Sequence, residues 1–196
     1  MDLMEIFTLI TGVVYIVLEI RQKNFMWVVG IFTSLAAMWV FFRQGLYASF
    51  GLNTYYLITS FIGLWQWRKY KDQLQAGSDD AIHLNTLTWK TVVTSAVIAV
   101  IGIAGLSYGM ELLAGIGLKE NPMSLLDASV AVLSAVATWW LVKSYIQQWC
   151  LWIVADTLST ILCITQGMWW MALLYAAYTA SAFIGYSHWK KKGSII

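Results

Sequence analysis

The sequence predicts an all-α membrane protein. Seven transmembrane helices should form two parallel three-helix repeats joined by a linker helix. Three observations lead there. Of 196 residues, 60% are hydrophobic and 11% charged, and the mean hydropathy is +0.68, whereas soluble domains carry about 25% charged residues. Seven apolar stretches are long enough to cross a bilayer. The chain also repeats itself. The expected organisation is a single integral membrane domain over 1–196, with a first triplet at 2–68, a linker helix at 90–108 and a second triplet at 125–190.

The spans are expected at 3–20, 25–42, 46–67, 90–108, 125–145, 147–165 and 168–188. The N-terminus lacks the basic start and small-residue cleavage site of a signal peptide, so 3–20 reads as the first span. Arg43-Gln44-Gly45 and Gln166-Gly167 form short corners, where glycine suits a helix stop. Two connections are longer: 68–89, polar and expected to be mobile, and 109–124, which holds the only proline, Pro122. Of the 12 Lys and Arg residues, all but Arg43 and Lys119 fall on the side of the C-terminus. By the positive-inside rule the N-terminus is outside and the C-terminus cytoplasmic. Cys150 and Cys163 share one expected helix, about 20 Å apart along it. That is too far for a disulfide, and they read as small apolar fillers.

The repeat is direct. "QGLYASFGLNTYYLITSFIGLWQW" (44–67) lies on "QGMWWMALLYAAYTASAFIGYSHW" (166–189) without a gap, pairing Tyr56 with Tyr178, Gly63 with Gly185 and Trp67 with Trp189. Upstream, "MWVVG" (26–30) resembles "LWIVA" (151–155), which sets Tyr15 against Trp140. An odd number of spans per copy would invert the second copy. The extra helix restores the orientation, as in parallel-repeat transporters.

Chemistry concentrates on the sixth span. Asp156 lies about ten residues in, roughly 15 Å deep, near the middle of the hydrocarbon. An acid there costs several kcal/mol at least (~3) and needs a partner, a wet cavity or a ligand. Trp149, Trp152 and Asp156 share one helix face. Two aromatic rings and a negative charge suit a flat cationic ligand. Tryptophan also forms interfacial belts, and Trp149 is shallow enough for one. Asn53 and Tyr56 share a face of the third span, and Tyr175 and Tyr178 are their mates on the seventh. They offer ligand hydrogen bonds or simple interhelical ones. Tyr15 and Glu19 are one turn apart on the first span. Glu19 is either a snorkelling carboxylate paired with Arg21 or Lys23, or a second anion beside the same ligand. Ser34, Ser60, Ser159 and Thr160 could line a route or ease packing. Gly12, Gly30, Gly63 and Gly185 would let helices slide closely. There is no phosphate-binding loop, no metal cluster and no nucleophile–base set. His83 and His188 lie outside the apolar core. The pattern argues against an enzyme, an ATP-driven pump, a cofactor protein or a nucleic-acid binder.

The two-triplet plan resembles the SWEET sugar transporters. The motif W-x-x-W-x-x-x-[N/D], here Trp149, Trp152 and Asp156, resembles a second family of that shape, the PnuC vitamin transporters, as do "GLYASFGLNTYYLITSFIGLWQW" and "ITQGMWWMALLYAAYTASAFIGYSHW". The resemblance covers nearly the whole chain. It implies facilitated diffusion of a vitamin across the bacterial inner membrane, trapping by a cytosolic vitamin kinase, and a homotrimer. Members carry nicotinamide riboside, thiamine or, more rarely, riboflavin. Those that take nicotinamide riboside typically end the motif in asparagine. Asp156, the Tyr15/Glu19 pair and the "LYAAYTASAFIGYSHW" ending look more like the thiamine-type branch. Thiamine is therefore the expected substrate. Nicotinamide riboside is the alternative, a proton-coupled carrier the second, and a non-transporting scaffold or receptor the remaining rival class. In this reading Trp149 and Trp152 stack on the ligand, Asp156 answers its charge, and Asn53, Tyr56 and Tyr178 hydrogen-bond it. Rocking of one triplet against the other would alternate access.

Overall fold

The computed structural model describes residues 3–43, 47–73, 82–115, 123–167 and 169–195. Seven helices follow in order: α1 (Leu3–Ile20), α2 (Phe25–Arg43), α3 (Tyr47–Gln73), α4 (Trp89–Gly115), α5 (Ser124–Val142), α6 (Gln148–Thr165) and α7 (Trp169–Lys192). Two strands, β1 (Ile82–Leu84) and β2 (Gly193–Ile195), pair in parallel, with His83 opposite Ser194. Each expected span is a helix, and the chain is an all-α membrane protein. Gly45, Lys119 and Pro122 lie outside the described residues.

Helix ends follow backbone chemistry more closely than apolarity. α3 runs on through the charged segment Arg68–Gln73 because good helix formers continue a turn without a breaker. α4 and α7 likewise pass their expected ends. α5 stops at Val142, short of 145, because Ser144 takes a left-handed conformation (φ 55°) and turns the chain. At the end of α6, Gly167 (φ 72°) supplies the expected glycine corner, and its N–H donates to the Ile164 carbonyl at 3.0 Å. Cys150 and Cys163 are both free thiols.

Among the described residues, α4 (over Trp89–Leu113), α5 and α6 are each long and apolar enough to cross a membrane unaided. Trp39, Trp65, Trp89, Trp169 and Trp170 are exposed at or near helix ends, as an interfacial aromatic belt requires.

The helices form two compact units. The first comprises residues 1–85, 138–146 and 187–196, the second 86–137 and 147–186. Neither coincides with a triplet, because the last turns of α5 and α7 belong with α1–α3.

Within the first unit, α2 packs on α3 through Trp27. A Cβ on Gly63 would come within 2.5 Å of its ring, so only glycine fits. Gly30 meets Ser60 in the same way, 2.8 Å from its Oγ. The Ser60 hydroxyl thus lies at a tight helix crossing. Trp67 meets Trp27 edge to face at 5.1 Å. The indole N–H of Trp67 donates to the Leu141 carbonyl (3.3 Å), and that of Trp189 donates to the Ile20 carbonyl (2.9 Å). The Trp189 indole satisfies a carbonyl at the C-terminus of α1, and the Trp67 indole adds a second bond to the Leu141 carbonyl, which also accepts from the Ser144 N–H at 2.9 Å. Because the ends of α1 and α5 meet at this cluster, the two helices finish at the same end of the unit.

Of the loop expected at 68–89, residues 74–81 lie outside the described residues, while 68–73 extend α3 and 82–85 are firmly held. β1 is buried along its length. The backbone N–H of His83 donates to Gln22 Oε1 at 2.7 Å, and Gln22 Nε2 donates back to the His83 carbonyl at 2.8 Å. Gln22 Nε2 also reaches Ser144 Oγ at 3.3 Å. Asn85 donates from its backbone to the Ser144 carbonyl (3.1 Å) and from its side chain to the Lys143 carbonyl (2.7 Å). The His83 ring stacks on Tyr70 at 3.8 Å. Burial pushes its imidazole down to about 4. Residues 82–85 therefore strap the α1–α2 corner to the α5–α6 corner. A three-residue strand is too short to betray itself by periodicity.

Within the second unit, Trp149 does for α6 and α7 what Trp27 does for α2 and α3. A Cβ on Gly185 would come within 2.5 Å of its ring. A Cβ on Gly102 would come within 3.3 Å of the Val132 methyls, which places α4 against α5 there. Ser124 Oγ shares a 3.3 Å hydrogen bond with Ser107 Oγ and donates to Glu111 at 3.3 Å.

These contacts correct the register read upstream. Trp27 and Gly63 match Trp149 and Gly185 at one offset of 122 residues. The corner bonds agree: Arg21 to Val17, Gln22 to Glu19 and Lys23 to Leu18 recur as Lys143 to Trp139, Ser144 to Leu141 and Tyr145 to Trp140. Gln22 (φ 48°) and Ser144 (φ 55°) are the left-handed residues of the two corners. The match of 26–30 with 151–155 is therefore displaced by three residues, and Tyr15 corresponds to Ala137. A three-residue slip is nearly one helical turn, so it leaves the apolar pattern almost in phase.

Candidate functional site

α6 turns one stripe inward: Gln148, Trp149, Ala155, Asp156, Ser159 and Cys163 are buried. Spacings of three and four residues put them on a common face. Trp152, one turn before Asp156 on this stripe, is half-buried, and its indole N–H is buried without a hydrogen-bond partner. Asp156 is 7% exposed. Among the described residues no lysine or arginine pairs with it. Tyr175 and Tyr178 of α7 both lie close enough to feel its charge, and their rings meet edge to face at 5.9 Å. The hydroxyls of Ser159 and Thr160 are engaged by their own helix, donating to the Ala155 and Asp156 carbonyls at 2.8 Å each. They hold the backbone and are not free to coordinate a ligand.

The offset of 122 residues shows which of these residues the architecture needs. Trp149 has a packing counterpart in Trp27. Trp152 stands where the first triplet has Gly30, and Asp156 where it has Ser34. A helix can occupy that position without an indole or an acid. The chemistry of the α6 stripe is thus an addition to the shared framework.

The first unit brings together a second polar group. Tyr15 lies within electrostatic reach of Glu19 and Tyr56, and Tyr56 lies against Tyr55 at 5.8 Å. Asn53 is half-buried one turn before Tyr56 on α3. Glu19 is buried, 4% exposed.

Two further residues fall on or beside this stripe. Tyr175 ranked below Tyr178 as a ligand group, yet both are near Asp156. Its signal was its position one turn from Tyr178. Gln148 was passed over, although it precedes Trp152 by one turn and Asp156 by two.

The sequence model described as nicotinamide mononucleotide transporter matches residues 2–191. The nicotinamide riboside transporter PnuC of Neisseria mucosa is 26% identical over 198 residues, covering 93% of this chain and 70% of that protein. The Escherichia coli protein of the same name is 24% identical over 166 residues, covering 76% and 69%; the Shigella flexneri protein matches to the same extent. A crystal structure of the vitamin B3 transporter PnuC superposes with a TM-score of 0.65 at 22% identity, covering 94% of this chain and 79% of that one. A family match over nearly the whole length and a shared fold make this a multi-pass membrane transporter and not an enzyme: the chain belongs to the nicotinamide mononucleotide transporter family, the group of the PnuC proteins.

Proposed function

We propose that this protein carries nicotinamide riboside across the membrane by facilitated diffusion. The observation that carries the reading is Asp156: a buried acid, unpaired with any described lysine or arginine, one turn from Trp152 and beside Tyr175 and Tyr178. A pyridinium nucleoside meets each feature. Its flat cationic ring suits the indoles. Its ribose hydroxyls suit the carboxylate and the phenols. Trp152 takes the ring face, Trp149 frames it from its seat on Gly185, and Tyr178 and Tyr175 bond polar groups. Tyr15, Glu19, Asn53 and Tyr56, a polar group within the first unit, remain candidate binding residues.

The expectation of thiamine rested on Asp156 in place of asparagine, on the Tyr15/Glu19 pair and on the "LYAAYTASAFIGYSHW" ending. The relatives do not support that branch, and an aspartate serves either cation. The N-terminus is placed outside and the C-terminus in the cytoplasm, in the bacterial inner membrane, on the lysine and arginine asymmetry. A homotrimer and a cytosolic kinase that traps the vitamin complete the scheme.

Titration of the purified protein with nicotinamide riboside and thiamine, followed by tryptophan quenching, tests the substrate. Saturable quenching by nicotinamide riboside alone is expected, and quenching by thiamine alone would refute it. In proteoliposomes, uptake should stop at equal concentrations with or without a pH gradient. Accumulation driven by the gradient would favour the proton-coupled alternative.

A further inference from the structure

Gln148, the first residue of α6, is 0% exposed, and neither its amide oxygen nor its amide nitrogen has a hydrogen-bond partner. Burying an amide with both ends unmet is costly, and native structures rarely accept it without a reason. The fold supplies none. At the matching position of the first triplet stands Met26, also 0% exposed. The position calls for a long, apolar side chain, and methionine fills it.

The departures from the first triplet fall in line. Gln148, Trp152 and Asp156 replace Met26, Gly30 and Ser34, at successive turns of one stripe. The stripe is about 12 Å long from Gln148 to Asp156, which matches the length of a nucleoside. The buried indole N–H of Trp152, also unpartnered, lies between its ends.

We infer that Gln148 is a specificity-determining residue that pairs with a carboxamide on the transported ligand. The inference rests on the proposed transport of a pyridinium nucleoside and adds the orientation of the ligand. An amide side chain offers one donor and one acceptor side by side. A carboxamide offers the complementary pair, and the two close a double hydrogen bond. A carboxylate offers acceptors only and leaves the Gln148 carbonyl facing an anion. The carboxamide end points to Gln148, the ring lies on Trp152, and the ribose end reaches Asp156. Selection between the amide and the acid form of the nucleoside then resides in Gln148.

The test compares binding of nicotinamide riboside and nicotinic acid riboside to the wild-type protein, to Gln148→Met and to Gln148→Asn. Gln148→Met reproduces the residue of the first triplet and removes the unmet amide, so its thermal stability should equal or exceed wild type. Its affinity for the amide ligand should fall roughly ten- to a hundredfold, and its preference for amide over acid should collapse toward unity. Gln148→Asn, with its shortened reach, should be intermediate in both. If Gln148→Met binds the amide as wild type does, with the same preference, the assignment is wrong while the transport reading stands. If the wild-type protein binds neither riboside, both are overturned.

Discussion

The ring of Trp149 lies so close to Gly185 that a single added methyl carbon would come within 2.5 Å of it. Trp27 and Gly63 repeat the contact 122 residues earlier. This wedge fixes the separation of the second and third helices in each triplet. It also sets which way the α6 stripe faces.

Gly185→Ala and Gly63→Ala should each destabilise the protein by about 1–3 kcal/mol, since a large ring between two helices cannot step aside. Thermal unfolding in detergent would register the loss. Exchanging the wedge for a smaller side chain, as in Gly185→Ala with Trp149→Leu, should restore part of it. A fully stable Gly185→Ala would show that the ring has room.

Asp156 can be separated into its charge and its hydrogen bonding. Asp156→Ala should weaken nicotinamide riboside binding about tenfold or more, through loss of a charge-assisted contact. Asp156→Asn keeps an acceptor at the same place and should stay within about threefold of wild type if the contact is to ribose hydroxyls. Isothermal titration on both variants distinguishes the two contributions. Equal losses would mean that charge neutralisation dominates.

The strap over the two corners depends on one amide. Gln22→Ala removes both bonds to the His83 backbone and the reach to Ser144 Oγ. The cost should be about 1–3 kcal/mol, confined to this segment. Hydrogen exchange of the β1 amides should accelerate, while that of α6 stays unchanged.

The same strap should respond to acid. Burial lowers His83 to about 4 from 6.5 in the unfolded chain, so the folded strap binds fewer protons than the released one. Stability then rises with pH across that interval. It is complete above about pH 6.5 and is lost as pH falls through 4. Exchange of the 82–85 amides should therefore slow less from pH 7 to pH 5 than the base-catalysed intrinsic rate does, an excess over the chemical trend. His83→Phe, which keeps the stack on Tyr70, should abolish that excess.

Seven helices and an all-α membrane protein were legible in residue order alone. Apolar length determines what can cross a bilayer, and an acid at mid-span announces itself by its cost. The local rules also located the glycine corner at Gly167. They failed where a partner distant in sequence was decisive. Trp149 read as a belt or a ligand residue until Gly185 was found against it, as Gly63 is against Trp27. That contact and the matching corner bonds extended the offset of 122 residues upstream, because a slip of one helical turn hardly alters an apolar pattern. The fastening of His83 by Gln22 and the burial of Gln148 were invisible for the same reason. Whether a polar atom is satisfied depends on what three-dimensional packing brings to it, and one-dimensional periodicity carries no record of that.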